Sequence, residues 1–165
     1  MIRRILLAVD DSAASMAATQ VAIELAERLD AQVYAATVVV DHAVGERLAA
    51  ALGGHGTLGG HGTLGGHGAL ARRRDHAAAA VLHHVARLAA GAGVPVQTRA
   101  LHGEPAQCLL EQAREWHADL VVMGHANRPG TGQHYVGPMT QHVLEFAERP
   151  VLVVPTVTAA PGHPA

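Results

Sequence analysis

Two short apolar runs, separated by a long glycine-bearing segment, constrain the fold of this chain more than any other feature. The runs are Asp119–Gly124 (DLVVMG) and Val151–Pro155 (VLVVP), and Gly137 lies between them. Such runs are typical of strands buried on both faces of a parallel sheet. The segment between them predicts a loop and then a helix. A loop of this kind follows the carboxyl end of a strand, where anionic ligands meet a helix N-terminus.

Strand-like and helix-like segments alternate along the whole chain. The predicted strands are residues 5–9, 32–40, 94–101, 120–123 and 151–154, and helices are predicted after the first strand and over about 75–90, 105–116 and 138–147. This alternation predicts an α/β fold with a parallel sheet and helical crossovers on both faces. Pro95 predicts that the third strand lies at an edge, because proline cannot donate to a central ladder.

Composition limits the class of protein. The length of 165 residues suits one domain, expected over 1–155, with a flexible tail at 156–165. Hydrophobic residues make up 49% and aromatic residues only 2%, so the core must be built from small aliphatic side chains. A net charge of -2 argues against a nucleic-acid partner, and no apolar stretch reaches membrane-spanning length. The single cysteine, Cys108, allows no internal disulfide, and we expect a cytoplasmic protein without membrane contact.

A glycine- and histidine-rich insert interrupts the alternation at about residues 45–74. Residues 53–70 read GGHGTL, GGHGTL, GGHGAL, and this composition predicts a flexible surface loop rather than a helix. The alternative is metal capture by His55, His61 and His67. An even spacing of six places these imidazoles on one side of an extended chain, and imidazole suits Zn or Ni. The repeat itself supplies no cysteine or carboxylate to complete such a site.

Four segments together resemble a known family. They are residues 5–12 (ILLAVDDS), 103–105 (GEP), 118–124 (ADLVVMG) and 150–155 (PVLVVP). Over nearly its whole length, apart from the repeat and the tail, the chain resembles universal stress proteins of the UspA type. The resemblance implies an open five-stranded parallel sheet of order 3-2-1-4-5 and a role in stress endurance. It also implies a homodimer through the last strand, Val151 to Val154, and an apolar edge strand independently favours such pairing.

The resemblance also implies an ATP-binding motif, G-x2-G-x9-G-[S/T], which this chain keeps only in part. Gly124 and Gly137 match the first and third glycines, whereas Asn127 and Pro138 stand at the other two positions. Asparagine tolerates the turn but crowds a phosphate. Proline suits the first position of a helix but has neither a hydroxyl nor a backbone N–H to offer an anion. Alternative donors lie nearby, namely Arg128, Gly130, Thr131, Gly132, Met139 and Thr140.

The residues that the resemblance assigns to the nucleotide surround these positions. Asp10 corresponds to an adenosine-contacting acid and Val38 to a backbone contact with adenine, while a turn-forming or helix-capping role remains the alternative for Asp10. The complete predicted set is Ala8, Val9, Asp10, Val38, Met123, Gly124, Asn127, Gly137, Pro138 and Met139.

No catalytic residues are predicted, because the chain has no GxSxG, HExxH, CxxC or Walker A pattern. His125 and His134 belong to the predicted loop and are interpreted as surface histidines, with contact to phosphate or metal as the alternative. Three hypotheses remain. In the first, the chain is a dimeric binding or signalling module with a degenerate site for ATP or another adenine nucleotide. In the second, it is a metal-binding or metal-responsive variant that uses the histidine-rich loop. In the third, it is a stress protein that binds no nucleotide and acts through protein partners alone.

Overall fold

A computed structural model describes residues 1–40, 65–125 and 137–156 of the chain. The strands are β1 (Arg4–Ala8), β2 (Gln32–Val39), β3 (Val96–His102), β4 (Leu120–His125) and β5 (Val151–Pro155). The helices are α1 (Ala13–Leu29), α2 (Gly65–Gly91), α3 (Pro105–Glu115) and α4 (Pro138–Phe146). None of these described helices is both long enough and apolar enough to cross a membrane.

The five strands form one parallel sheet in the order β3-β2-β1-β4-β5, which confirms the predicted fold class. The central strand β1 is flanked by β2 and β4, so that Leu6 lies opposite Tyr34 on one side and Val121 on the other. One face of the sheet packs against α1 and α2, and the opposite face packs against α3 and α4. The strand with Pro95 before it, β3, lies at an edge as predicted.

The strand order creates a crevice between β1 and β4. From β1 the chain proceeds to β2 and β3 on one side, and it then returns through α3 to β4 and β5 on the other side. Ligands of open parallel sheets bind where the order reverses in this way, outside the carboxyl ends of the two strands. The topology therefore predicts a ligand site at the carboxyl ends of β1 and β4.

Small side chains allow the helices to approach the sheet closely. Ala18 and Ala22 of α1 are fully buried against strand residues that include Ile5 and Val122, and Ala106 of α3 is fully buried on the opposite face. This agrees with the expectation that a chain with 2% aromatic residues packs through alanine, valine and leucine.

Two sequence predictions about element boundaries are wrong. Helix α2 begins at Gly65, about ten residues before the predicted start, so the third repeat copy and the end of the predicted insert are helical. Alanine, leucine and arginine at residues 69–74 favour helix, and each added residue of a formed helix gains a hydrogen bond. Strand β4 runs to His125, beyond the predicted end at 123, because Gly124 pairs in register with Val154 of β5.

The segment 103–105 has a clear local explanation. Gly103 has φ +142°, a conformation that side-chain-bearing residues rarely adopt. Glu104 caps α3, since its carboxylate accepts hydrogen bonds from the N–H groups of Ala106 and Gln107 at 3.2 and 2.7 Å. Pro105 occupies the first turn, where no backbone donor is needed. These three residues turn the chain from β3 into α3.

Candidate nucleotide site

A cavity of about 670 Å³ opens at the carboxyl ends of β1, β2 and β4. Its size lies in the range typical of small-molecule and cofactor sites. Residues of β1, β2, β4, α1, α3 and α4 contribute to its walls, and it lies at the crevice that the strand order creates. The walls differ in chemistry from one another.

The wall at the start of α1 is polar and internally hydrogen bonded. The hydroxyl of Ser12 accepts from the N–H of Ser15 at 3.1 Å and caps the helix. Asp10 accepts from the N–H of Ser12 at 2.9 Å through Oδ1, and its own N–H donates to the Ser15 hydroxyl at 2.9 Å. Asp10 therefore forms the turn that was its alternative interpretation, while its exposed carboxylate also borders the cavity.

The wall at the end of β4 depends on the absence of a side chain at Gly124. A Cβ atom there would lie 2.5 Å from the backbone carbon and oxygen of Ala14 and 2.7 Å from the N atom of Ser15. Since these are backbone atoms, any larger residue would push α1 away from β4. Gly124 therefore has a packing role that is independent of any ligand.

His125 also lines the cavity, and its position differs from the sequence interpretation. It belongs to β4 rather than to a surface loop, and only 6% of its surface is exposed. Its carbonyl accepts hydrogen bonds from the N–H and the hydroxyl of Thr156, at 3.2 and 3.1 Å. Gly124 was interpreted as the start of a loop, so the continuation of β4 to His125 was not predicted.

The third wall is the first turn of α4. Gly137 is the N-cap residue, Pro138 occupies the first turn, and no side chain among the described residues caps this helix. The helical hydrogen bonds begin with the N–H of Gln141, which donates to the carbonyl of Gly137 at 2.9 Å. Met139 and Thr140 border the cavity, and the N–H groups of this turn have no acceptor within the helix.

The remaining walls are apolar. Val38 and Val40 contribute from the end of β2 and the residue after it, and Pro105 and Leu109 contribute from α3. Met123 completes this side from β4. A flat, mostly apolar group is accommodated by such a surface better than an ion is.

Most of the predicted site residues meet at this cavity. Those that line it are Ala8, Val9, Asp10, Val38, Met123, Gly124, Gly137 and Met139. Pro138 lies in the adjoining turn and is exposed, and Asn127 lies outside the described residues.

Sequence reasoning did not assign several residues of these walls to the site. These residues include Ser12, Ser15, Thr37 and Leu109. The one sequence signal for Thr37 is that it directly precedes Val38, which was predicted to contact the nucleotide.

The predicted metal site is not tested by the structure. His55 and His61 lie outside the described residues, and His67 falls within α2, where its side chain is not described. Across residues 1–40, 65–125 and 137–156, no group of three or more histidine, cysteine or acidic residues could hold a metal ion.

The surroundings of Cys108 favour the protonated thiol. Burial raises its pKa above the ordinary value, and the negative charges of Glu111 and Glu104 raise it further. Its Sγ atom is directed at the carbonyl of His102, 3.6 Å away. A thiol with a raised pKa remains protonated at neutral pH, and the thiolate is the reactive form.

Comparisons with known proteins agree with this architecture. The chain is 32% identical over 153 residues to universal stress protein MJ0531 of Methanocaldococcus jannaschii, covering 92% of this chain and 81% of that protein. A universal stress protein family member from Burkholderia pseudomallei has TM-score 0.69 at 24% identity, covering 93% of this chain and 96% of that one. An Arabidopsis thaliana family protein with AMP bound has TM-score 0.64 at 13% identity, covering 93% and 91%.

The structural likenesses lie below 25% identity and show the fold alone. Family membership follows from the sequence matches instead. The sequence model of the universal stress protein family matches residues 1–155 of this chain. Together with the relative from M. jannaschii, this match establishes that the chain belongs to the universal stress protein family.

Proposed function

We propose that this protein is an adenine-nucleotide-binding module of the stress response. The observation that carries the proposal is the cavity at the strand-order reversal, which combines an apolar wall, an exposed carboxylate and an uncapped helix start. These three chemistries correspond to the base, the sugar and the phosphate of a nucleotide. The similar A. thaliana protein has AMP bound, which supports the same ligand class here.

Each part of a nucleotide has a suitable neighbour among the described residues. The apolar side formed by Val38 and Leu109 suits the faces of adenine, since burial of an aromatic ring is favourable there. The carboxylate of Asp10 is held in place by the N–H of Ser12 and is suited to accept hydrogen bonds from the ribose hydroxyls. The first turn of α4 is favourable for negative charge because helix N-termini carry unsatisfied N–H groups.

We propose binding rather than turnover, with ATP a weaker ligand than the intact family motif would allow. Pro138 supplies neither the hydroxyl nor the N–H of the motif position, so this helix start offers fewer donors to a triphosphate. Each charge-assisted hydrogen bond of this kind contributes about 1.5–3 kcal/mol.

Calorimetric titration with AMP tests the proposal. We expect saturable binding to the purified chain, and we expect protein prepared without added ligand to release a compound with adenine absorbance on denaturation. In the variant Val38→Phe the ring fills the apolar side of the cavity, so AMP affinity falls by about tenfold or more.

The matched control is Val39→Phe. Val39 is the next residue of the same strand, is half-buried, and does not border the cavity. We expect it to bind AMP like the original chain. Absence of AMP binding by the folded original chain would refute the proposed function.

We also propose that the chain acts as a homodimer paired through β5. This strand lies at the edge of the sheet, and Val151, Leu152 and Val153 are only half-buried in the single chain. An apolar edge of this kind is stabilised by pairing with a second copy. Light scattering at micromolar concentration is expected to give the mass of two chains, and the mass of one chain would contradict the dimer.

A further inference from the structure

The solvent-exposed face of α2 carries a row of basic side chains. Six exposed residues form this row, here called the basic stripe: Arg72, Arg73, His76, His83, His84 and Arg87. At 3.6 residues per turn, these positions fall within about 120° of the helix circumference. From the first to the last of them the stripe is about 22 Å long, because a helix rises about 1.5 Å per residue.

The charge of the stripe is not neutralised within the described part of the chain. No ion pair or side-chain hydrogen bond engages any of its members among residues 1–40, 65–125 and 137–156. Residues 65–91 of α2 contain four arginines and one acid, Asp75. The whole chain nevertheless has a net charge of -2. Positive charge is therefore concentrated on this helix in a chain that is acidic elsewhere.

Local charge matters more to a polyanion than net charge does. The net charge argued against a nucleic-acid partner, but it averages over surfaces that such a partner never touches. Basic residues in a row along one helix are typical of a surface that binds a phosphate backbone. The permanent charges of the stripe are guanidinium groups, which pair with phosphate through two parallel hydrogen bonds.

The shape of α2 favours a duplex over other polyanions. No residue from 69 to 77 is buried, so this part of the helix is accessible from more than one side. The exposed residues between His76 and His83 include Ala79 and Ala80, so the basic groups project beyond a narrow helix. The major groove of a duplex, about 12 Å wide, admits a helix. The stripe has no aromatic ring to stack on unpaired bases and no large apolar side chain to enter a membrane.

We propose that the basic stripe binds the phosphate backbone of duplex nucleic acid, without sequence preference and more tightly as the pH falls from 8 to 6. Its three arginines provide charge at every pH in this range. Its three histidines add charge in acid, because imidazole ordinarily gains a proton between about pH 8 and pH 5. This surface is separate from the cavity, to which none of the described residues of α2 contributes.

Neighbouring groups do not cancel this response to pH. The elements that pack against α2 are β2, β3 and α1. Their titratable or charged side chains are Tyr34, Arg99, His102, Glu24, Glu27 and Arg28. Tyr34 is buried on the opposite face of the sheet, and Glu24 pairs with Arg28 at 2.6 Å. Glu27 and Asp75 are the acids that remain, against the six basic residues of the stripe.

Fluorescence anisotropy with a labelled duplex of about 20 base pairs tests the proposal. We expect a dissociation constant in the range of about 1–100 μM at low salt, equal for unrelated sequences. The logarithm of the affinity should fall linearly with the logarithm of the salt concentration, by about 0.9 for each phosphate contacted. The slope should therefore steepen from about -3 at pH 8 toward about -5 at pH 5.5.

Arg72→Gln combined with Arg87→Gln should make the slope shallower by about two and leave AMP affinity unchanged. The matched control is Arg114→Gln combined with Arg149→Gln, which removes the same charge from exposed positions on α3 and after α4. We expect the control to keep the slope of the original chain.

A second pair of changes tests the histidines. His76→Gln combined with His83→Gln should bind the duplex like the original chain at pH 8 and lose most of the steepening in acid. A slope that does not change with pH in the original chain would refute the role of the histidines.

Three other results would refute the duplex site. They are absence of duplex binding by the folded chain at pH 6 in low salt, equal losses in the stripe and control variants, and equally tight binding of anionic phospholipid vesicles or polyglutamate at the same salt concentration. The last result would assign the stripe to a membrane or to an acidic protein. None of these results bears on AMP binding, which is measured separately.

Discussion

The parallel strands of the sheet all begin at one end, here called the amino edge, and all finish at the opposite end, the carboxyl edge. These two ends use their polar groups in opposite ways. At the amino edge, the carboxylate of Asp119 accepts hydrogen bonds from the N–H groups of Arg3 and Arg4 at 2.8 and 3.0 Å. The Arg3 guanidinium pairs with Asp30 at 2.8 Å, and the Arg4 guanidinium donates to the Trp116 carbonyl at 3.1 Å. These polar groups thus find their partners within the chain.

At the carboxyl edge, the matching is incomplete and a cavity is present. The start of α1 is satisfied through Ser12, Ser15 and Asp10, but the start of α4 has no side-chain cap among the described residues. Thr140 beside it is 7% exposed and borders the cavity. A binding site is thus recognisable by the polar groups that the fold leaves without partners. Substitutions at the amino edge should therefore change stability, and substitutions at the start of α4 should change binding.

The largest expected effect comes from Gly124→Ala, which tests whether the carboxyl edge also contains a purely structural position. The new Cβ would lie 2.5 Å from the backbone of Ala14, so α1 must shift. We expect a loss of about 3 kcal/mol of unfolding free energy and a decrease of roughly 6–12 °C in the melting temperature.

Gly137→Ala is the control for this change, because a Cβ at Gly137 meets nothing within 4 Å. Its melting temperature should remain within about 2 °C of the original value. Equal effects at the two glycines would show that the close approach of α1 to β4 is not what requires glycine at residue 124.

An intermediate loss of stability is expected for Asp119→Ala, which removes the acceptor of the Arg3 and Arg4 N–H groups at the amino edge. Hydrogen bonding from the N–H of Arg3 and then Arg4 lowers the pKa of Asp119 below its ordinary value of 3.8. Because the pKa is lower in the folded chain, the stabilisation is complete above about pH 5 and is lost as the pH falls through the folded value. At neutral pH we expect a loss of about 1 kcal/mol after allowance for solvent exposure.

Chemical denaturation of Asp119→Ala at pH 7 and at acidic pH measures this contribution. The difference from the original chain should shrink in acid, while AMP affinity at neutral pH should be unchanged. Asp75→Ala is the control, because Asp75 is exposed on α2 and has no hydrogen bond or ion pair among the described residues. A fall in AMP affinity on loss of Asp119 would contradict the separation of the two edges.

The smallest change in stability is expected for Gly137→Ser, which gives α4 the cap that it lacks. The backbone of Gly137 is extended, as an N-cap requires, and there is open space for the side chain. The serine hydroxyl should accept from an N–H of the first turn, which raises stability by a few tenths of a kcal/mol and removes that donor from the ligand.

We therefore expect a slightly higher melting temperature and AMP binding weakened by about threefold to tenfold relative to Gly137→Ala. An AMP affinity equal to that of Gly137→Ala would show that the N–H groups of this turn do not bind the phosphate.

The fold could be predicted because its signals are local. Continuous apolar runs at 5–9 and 120–123 marked buried parallel strands, and Pro95 marked an edge. The start of α2 at Gly65 was missed because glycine has low helix propensity, whereas neighbouring residues extend the helix into the repeat. His125 was assigned to a loop because the glycine before it, Gly124, was interpreted as the end of the strand. In the structure both residues pair with β5.

The candidate site could be predicted only in part. Gly124, Gly137 and Asp10 were found because they belong to short motifs at strand and helix ends. Thr140 was named only as one of several alternative donors, and only the structure shows that it borders the cavity. The packing role of Gly124 depends on Ala14 and Ser15 of α1, which lie more than a hundred residues earlier in the chain.

Nuclear magnetic resonance during titration with AMP tests the central claim most directly, because it reports on both edges of the sheet at once. We predict saturable shifts of the backbone amide signals of Met139 and Thr140, with smaller shifts at Val38 and Gly124. The amide signals of Arg3 and Arg4, which donate to Asp119, should not move. Shifts concentrated at the amino edge, or no saturable shift at the start of α4, would contradict the assignment of the nucleotide site.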